Sequence, residues 1–361
     1  MNKLNSPPIM INGGVIPNEH CFSHIINAEK LYESASAFVK QNQINSEKIQ
    51  RIFADKENMN EYKDKIFDNI IQDILDISTD KYGNYLIREI LNSEEQEKVK
   101  KIFLVIKGHI RELSKDKWGT FVIQELIKNI DEEQLKEISD ELIGDNDFRK
   151  NINSQNELIV FQKLIIRQGT NANNKLCEKI VNNFVDLCNN QYVSFFIETL
   201  LLNCSENYYD LMFIICRNNI CELSKAKYGH YIVSFFIKNK RGRDINMINM
   251  IYESLKGKVY ELSQDEFATF TVQSAIVFGN QSQRNQIIDE IKSGEGNLNY
   301  LSKNGKGHFV ILKMLNYLDR DTLGHLLYKL NKELHKKSNR YAKEVVGELQ
   351  KFFKNSRKHK K

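Results

Sequence analysis

A recurrence of about 36 residues governs what this chain can fold into. The stretch DISTDKYGNYLIREIL (76–91) returns as ELSKDKWGTFVIQELI (112–127), DLCNNQYVSFFIETLL (186–201), ELSKAKYGHYIVSFFI (222–237), ELSQDEFATFTVQSAI (261–276) and YLSKNGKGHFVILKML (300–315). One residue ahead of a small position marks each copy: Tyr82, Trp118, Tyr192, Tyr228, Phe267 and Lys306, at gaps of 36, 74, 36, 39 and 39. The double gap predicts a degenerate copy at QNELIVFQKLI (155–165), with Gln162 in register with Gln124, and NRYAKEVVGEL (339–349) follows 35 residues after the sixth marker. Units of this size cannot each bury a hydrophobic face alone, so a fixed period implies a stacked array with one continuous core.

The units read as helical. All three prolines (Pro7, Pro8, Pro17) precede residue 18, so no imino acid interrupts the rest of the chain. In the unit leading to Trp118, residues Val99, Ile102, Phe103, Ile106, Ile110 and Leu113 keep the three-and-four spacing of one helix stripe, with Gly108 placed to bend or end it. A second helix beginning near Lys117 carries Val122, Ile123, Leu126 and Ile127 on its apolar face. At about 100° per residue, Thr120, Phe121 and Gln124 fall on the opposite side of that helix. The first, second and fifth residues after the small position are therefore expected to face away from the core, and stacking lines these triplets up along one wall.

Composition and charge narrow the function classes. With 361 residues, 41% apolar and 27% charged, the chain can bury a large core. No apolar run approaches the roughly 18 residues of a bilayer crossing, and no leader pattern opens the chain, so a soluble, non-secreted protein is expected. Six cysteines (Cys21, Cys177, Cys188, Cys204, Cys216, Cys221) lack metal-ligand spacing and read as reduced, buried thiols. No cofactor or metal is expected, and the absence of a phosphate loop, a GxSxG elbow or a metal-ligand pair argues against an enzyme. From Lys336 onward ten basic residues face only Glu344 and Glu348, which leaves +8 there and −3 in the first 335 residues of a chain whose total is +5.

The aromatic-Gly-polar-aromatic-aliphatic-aliphatic-Gln kernel, as in WGTFVIQ (118–124) and YGNYLIR (82–88), resembles the second helix of pumilio (PUF) repeats over roughly residues 65–350. The resemblance implies an all-α fold: an α-α superhelix, a right-handed crescent solenoid of about eight repeats that binds single-stranded RNA on its concave face. The expected organisation is a flexible lead (1–18), a helical cap or degenerate repeat (19–70), a repeat array (71–350) and a basic tail (351–361). In the family the first and fifth triplet residues touch a base edge and the second stacks between bases. Position by position this assigns RNA binding to Asn84, Tyr85 and Arg88; to Thr120, Phe121 and Gln124; to Gln162; and to Ser194, Phe195 and Glu198. It continues with His230, Tyr231 and Ser234; Thr269, Phe270 and Gln273; and His308 and Phe309. Two or three side chains meeting one base is the reading mode of such helical repeats, and stacking on an aromatic ring is sequence-tolerant.

Several positions depart from the family pattern. Leu158, Ile159 and Leu312 cannot pair with a base edge, Lys343/Glu344/Gly347 suits a cap, and only Ser194/Glu198 has the usual pairing at both edge positions. Relaxed sequence selectivity is the expectation. These departures, together with the helical segment ahead of the first clear copy, resemble the nucleolar pumilio-like branch. That likeness implies precursor ribosomal RNA as partner, ribosome-assembly proteins as neighbours, a monomer, no membrane, and a nuclear, nucleolar location. Three other readings stay open: a cytoplasmic mRNA-binding regulator, a HEAT- or armadillo-like scaffold for a protein ligand, and the triplet aromatics as core edge instead of stacking platforms. The tail KFFKNSRKHKK (351–361) reads as a nuclear address, a backbone clamp or a solvated end.

Overall fold

A computed structural model describes residues 34–55, 60–93, 95–144, 152, 154–170, 173–239 and 245–358. The lead at 1–18, the start of the expected cap with Cys21, and the last three residues of the tail lie outside them. Every regular element among the described residues is helical. The chain divides into two compact units, residues 1–134 and 135–361.

The repeated kernel forms one helix per copy. In the first unit these are α1 (Gln43–Ala54), α2 (Gly83–Asn92) and α3 (Gly119–Asn129), with α1 packed on α2 and α2 on α3. In the second they are α4 (Gln155–Gln168), α5 (Val193–Asn203), α6 (Gly229–Lys238), α7 (Ala268–Phe278), α8 (Gly307–Met314) and α9 (Arg340–Lys358), each packed on the next. The expected apolar faces are buried: Val122, Ile123, Leu126 and Ile127 on α3, and Val99, Ile102, Phe103, Ile106, Ile110 and Leu113 ahead of it.

The preceding stripe is not one helix, however. It breaks into Gln96–Ile106 and Ile110–Lys115 at Gly108, whose φ of +91° is open to glycine and costly to other residues. The apolar spacing survives the break because both pieces lie on the same core, so periodicity alone could not locate it.

A side-chain clamp explains how each kernel helix begins. Asp116 Oδ1 accepts from the N–H groups of Trp118 (2.8 Å) and Gly119 (2.7 Å), so two of the orphan donors at the start of α3 are satisfied. Asp80, Asn190, Asp265 and Asn304 do the same for α2, α5, α7 and α8. The turn is tight enough that a Cβ on Gly119 would lie 2.8 Å from the Leu113 carbonyl oxygen, which accounts for the small residue there. In the α6 copy the clamp position is Ala226, in the same extended conformation (φ −76°, ψ 139°) as Asp80, Asp116 and Asn304. Ala226→Asp is therefore expected to stabilise the protein by about 1 kcal/mol in urea denaturation, and no gain would remove the clamp from the account of why these helices start where they do.

Candidate nucleic-acid interface

The second triplet position is the one the fold leaves open. Tyr85, Phe121, Phe195, Tyr231, Phe270 and Phe309 are all 41–55% exposed, although the residues on either side are mostly core. Tyr85 and Phe121 in the first unit, and Phe195, Tyr231, Phe270 and Phe309 in the second, lie outside the packed layers and offer each unit faces on which planar groups can stack.

The first position behaves differently from the helix-wheel expectation. Asn84, Thr120, Leu158, Ser194, His230, Thr269 and His308 are 0–4% exposed, so these residues do not face solvent. The physical reason is the neighbouring repeat. Thr269 Oγ1 lies 3.5 Å from the Lys306 carbonyl oxygen at the start of the next kernel helix, and His308 sits between the rings of Phe309 (3.9 Å) and Tyr341 (4.7 Å). Asn84 turns its amide nitrogen back to the carbonyls of Asp80 and Lys81.

Fifth positions are mixed. Gln124 and Gln273 are half-buried and donate from their amide nitrogens to Thr120 and Thr269 Oγ1 (3.2 and 3.5 Å), which orients each amide along its helix. Gln162 reaches Thr199 Oγ1 at 3.4 Å. Ser234 is buried and accepts from Ser274 Oγ at 3.2 Å, so its expected place on the open wall is corrected: a hydroxyl that small stays inside when the adjacent helix offers a partner. Glu198 is half-buried, and burial raises its carboxyl pKa while the nearby Lys238 charge works in the opposite direction.

The rings are knitted to charged and heteroaromatic neighbours. In the first unit the Arg88 guanidinium sits 5.5 Å from both the Tyr85 and the Phe121 centroids, bridging successive stacking rings. In the second, Phe195 and Tyr231 lie 5.8 Å apart, and His230 stacks on Phe270 at 5.0 Å with planes 21° apart. Burial holds the His230 pKa below the ordinary imidazole value, with the Lys238 charge adding to it. Two polar atoms at triplet positions are buried without a partner among the described residues: Asn84 Oδ1 and Arg88 Nε. Leaving such groups unpaired is costly.

The sequence reading missed a further triplet. Ser46 Oγ donates to the Tyr82 carbonyl oxygen (2.7 Å), as Thr269 does to that of Lys306, and Gln50 donates to Ser46 Oγ (2.8 Å), as Gln273 does to Thr269. Ser46, Glu47 and Gln50 on α1 thus occupy the three triplet places, 38 residues ahead of Asn84. They border a cavity of 360 Å³ shared with Lys81, Tyr82, Tyr85 and Trp118. The spacing was the available signal; Ile44 and Asn45, standing where the aromatic and small residues normally stand, concealed the kernel. Among the described residues no group of three or more His, Cys, Asp or Glu side chains is placed to hold a metal, and no helix is long and apolar enough to cross a membrane.

Comparison with known proteins agrees with this geometry. The Pumilio-family RNA binding repeat matches residues 73–106, 109–143, 183–213 and 258–292. Pumilio homolog 11 of Arabidopsis thaliana is 24% identical over 288 residues, or 78% of this chain and 50% of that protein, so the chain spans about half the length of this curated relative. Among solved structures, PUF-8 in complex with PBE-RNA superimposes with a TM-score of 0.79 at 17% identity, covering 91% of this chain and 96% of that one. The Puf3 RNA binding domain bound to a Cox17 RNA 3′ UTR recognition sequence gives 0.74 at 21% identity, covering 91% and 97%. The RNA-binding domain of yeast Puf5p bound to MFA2 RNA gives 0.69 at 19%, covering 90% and 98%. Pumilio (PUF) repeats are thus found in four segments of this chain, and its fold is similar to that of solved PUF structures.

Proposed function

We propose that this chain binds single-stranded RNA on the exposed rings of each unit, one base per ring, and that its target is precursor ribosomal RNA during small-subunit assembly in the nucleolus. The observation that carries the binding reading is the shared exposure of six aromatic side chains at one repeat position. Stacking at such positions supplies affinity without regard to sequence, because every base has a π-face. Relaxed selectivity is supported by the edge positions: Leu158 and Leu312 carry no hydrogen-bonding side chain, and Ser234 is engaged inside the packing.

Two solved neighbours, by their descriptions, bind messenger sequences: Puf3 on a Cox17 3′ UTR recognition sequence, and Puf4 on that of HO endonuclease RNA. Messenger RNA in the cytoplasm is accordingly the second reading. Crosslinking in cells followed by sequencing of the attached RNA separates the two. Enrichment of precursor ribosomal RNA is the expected result, while enrichment of messenger 3′ ends would overturn the ribosomal assignment and keep RNA binding.

A further inference from the structure

The ring row accounts for bases but leaves the negatively charged backbone without a partner, in a chain whose first 335 residues carry a net −3. The residue immediately ahead of four of the six marker rings meets that need in a recurring way. Lys81 Nζ lies 4.9 Å from the Tyr82 centroid, Lys117 Nζ 4.6 Å from Trp118, Lys227 Nζ 5.3 Å from Tyr228, and the Arg340 guanidinium 4.5 Å from Tyr341. We infer that Lys81, Lys117, Lys227 and Arg340 contact the phosphates of bound single-stranded RNA, a backbone track running beside the stacking rings within each unit. This deepens the RNA-binding reading and rests on it.

Three observations support the assignment. First, all four side chains are exposed and make no ion pair among the described residues, whereas Lys128, Lys175, Lys225, Lys292 and Lys303 are each paired with a carboxylate. The acidic residues adjoining the two in the first unit, Asp80 and Asp116, are already engaged by backbone N–H groups. Second, a ring beneath each of the three lysines restrains a long side chain without using its hydrogen donors and without cancelling its charge, so less ordering remains to be done when a phosphate oxygen accepts from it, while Arg340 donates from Nη2 to Tyr341 Oη (2.6 Å) and keeps its other donors. Third, the register fits the ligand. Lys81, Lys117 and Lys227 each stand four residues ahead of an exposed ring (Tyr85, Phe121 and Tyr231), whereas Arg340 stands four ahead of Glu344; Lys81 also shares one cavity with Tyr85, so a phosphate at Lys81 and a base at Tyr85 can belong to the same stretch of RNA. A chain read at one base per repeat presents about one phosphate per repeat. The track is interrupted at Gln191, and at Glu266, whose charge is taken up by Lys306 at 2.9 Å.

The test uses the full chain and an RNA recovered with it by selection from a randomised single-stranded pool, with poly(U) as a second probe. Lys81→Gln with Lys117→Gln, and separately Lys227→Gln with Arg340→Gln, remove the charges and keep a polar side chain with the first two methylenes. Wild-type affinity should fall steeply with salt. In each double variant the fold-loss between about 50 and 200 mM salt should be about sevenfold smaller, corresponding to two phosphate contacts at a slope of about 0.7 each on single strands, and equal for both probes. A salt dependence matching wild type, in variants with wild-type melting curves, overturns the inference. Failure of the RNA reading looks different: the selection would then recover no RNA at all, and the inference would fall with it. The ring variant Phe121→Ala/Tyr231→Ala/Phe270→Ala should instead lose affinity with the salt slope intact.

Discussion

Changing Phe121, Tyr231 and Phe270 together to alanine is expected to weaken RNA binding by at least about a hundredfold. Stacking of a base on an aromatic side chain contributes about 1–3 kcal/mol, so three lost platforms remove about 3 kcal/mol even at the low end of that range. The protein should remain folded, because each ring is already 41–49% exposed and its truncation removes only part of a side chain's burial, about 1 kcal/mol each. Phe121 has a second role that the other two lack, since it forms one side of the Arg88 sandwich. Phe121→Ala alone should therefore lower affinity by more than Phe270→Ala alone. Tyr231→Phe, which retains the ring, should bind as wild type. Equilibrium titration of labelled RNA against each variant, with circular dichroism melts alongside, measures both quantities. A folded triple variant that binds with unchanged affinity would remove the rings from the binding account and leave the array as a scaffold for another cargo.

The largest effect on stability is expected from Phe196→Ala. Phe196 is fully buried on α5 and pairs with Phe161 of α4 at 5.8 Å, so it belongs to the layer shared by two successive repeats. Truncation removes the transfer free energy of the ring and leaves a cavity, together about 3–5 kcal/mol. In a repeat array stability is the sum of unit and neighbour terms, so this loss weakens both the α4 and the α5 copies and should broaden the unfolding transition as well as shift it. Phe196→Leu, which fills most of the space, should cost much less. Denaturant titration followed by far-ultraviolet circular dichroism gives the comparison. A loss under about 1 kcal/mol for the alanine variant would mean that the α4 and α5 layer is not packed as described.

Much of the fold is legible in the residues because a solenoid repeats one local problem. The marker and small residue, the acidic or amide clamp before them and the apolar positions after them recur at a fixed spacing, and each has a local cause: a helix start to be capped, a carbonyl approached to within 2.8 Å, a face to be buried. The exposed second position is legible for the same reason, since its direction follows from helix geometry alone. The break at Gly108 was visible only as a possibility, because both pieces on either side of it answer to the same core.

What a single helix cannot report is how far its neighbour leans over it. Thr269, His230 and His308 point off the apolar stripe of their own helices, yet burial claims all three because the following repeat, or the rings beside them, cover that edge. Ser234 turns inward for a hydroxyl 40 residues away, and Ser46 joins the triplet series through a carbonyl 36 residues away. The sequence by itself therefore determined the period, the helices and the ring that each unit presents, all consequences of contacts within a few residues. Only the tertiary structure decided which polar atoms remain open to a ligand and where the first triplet lies, since those depend on packing between units, where the partner of a side chain is set by the stacking of helices and not by its own surroundings in the chain.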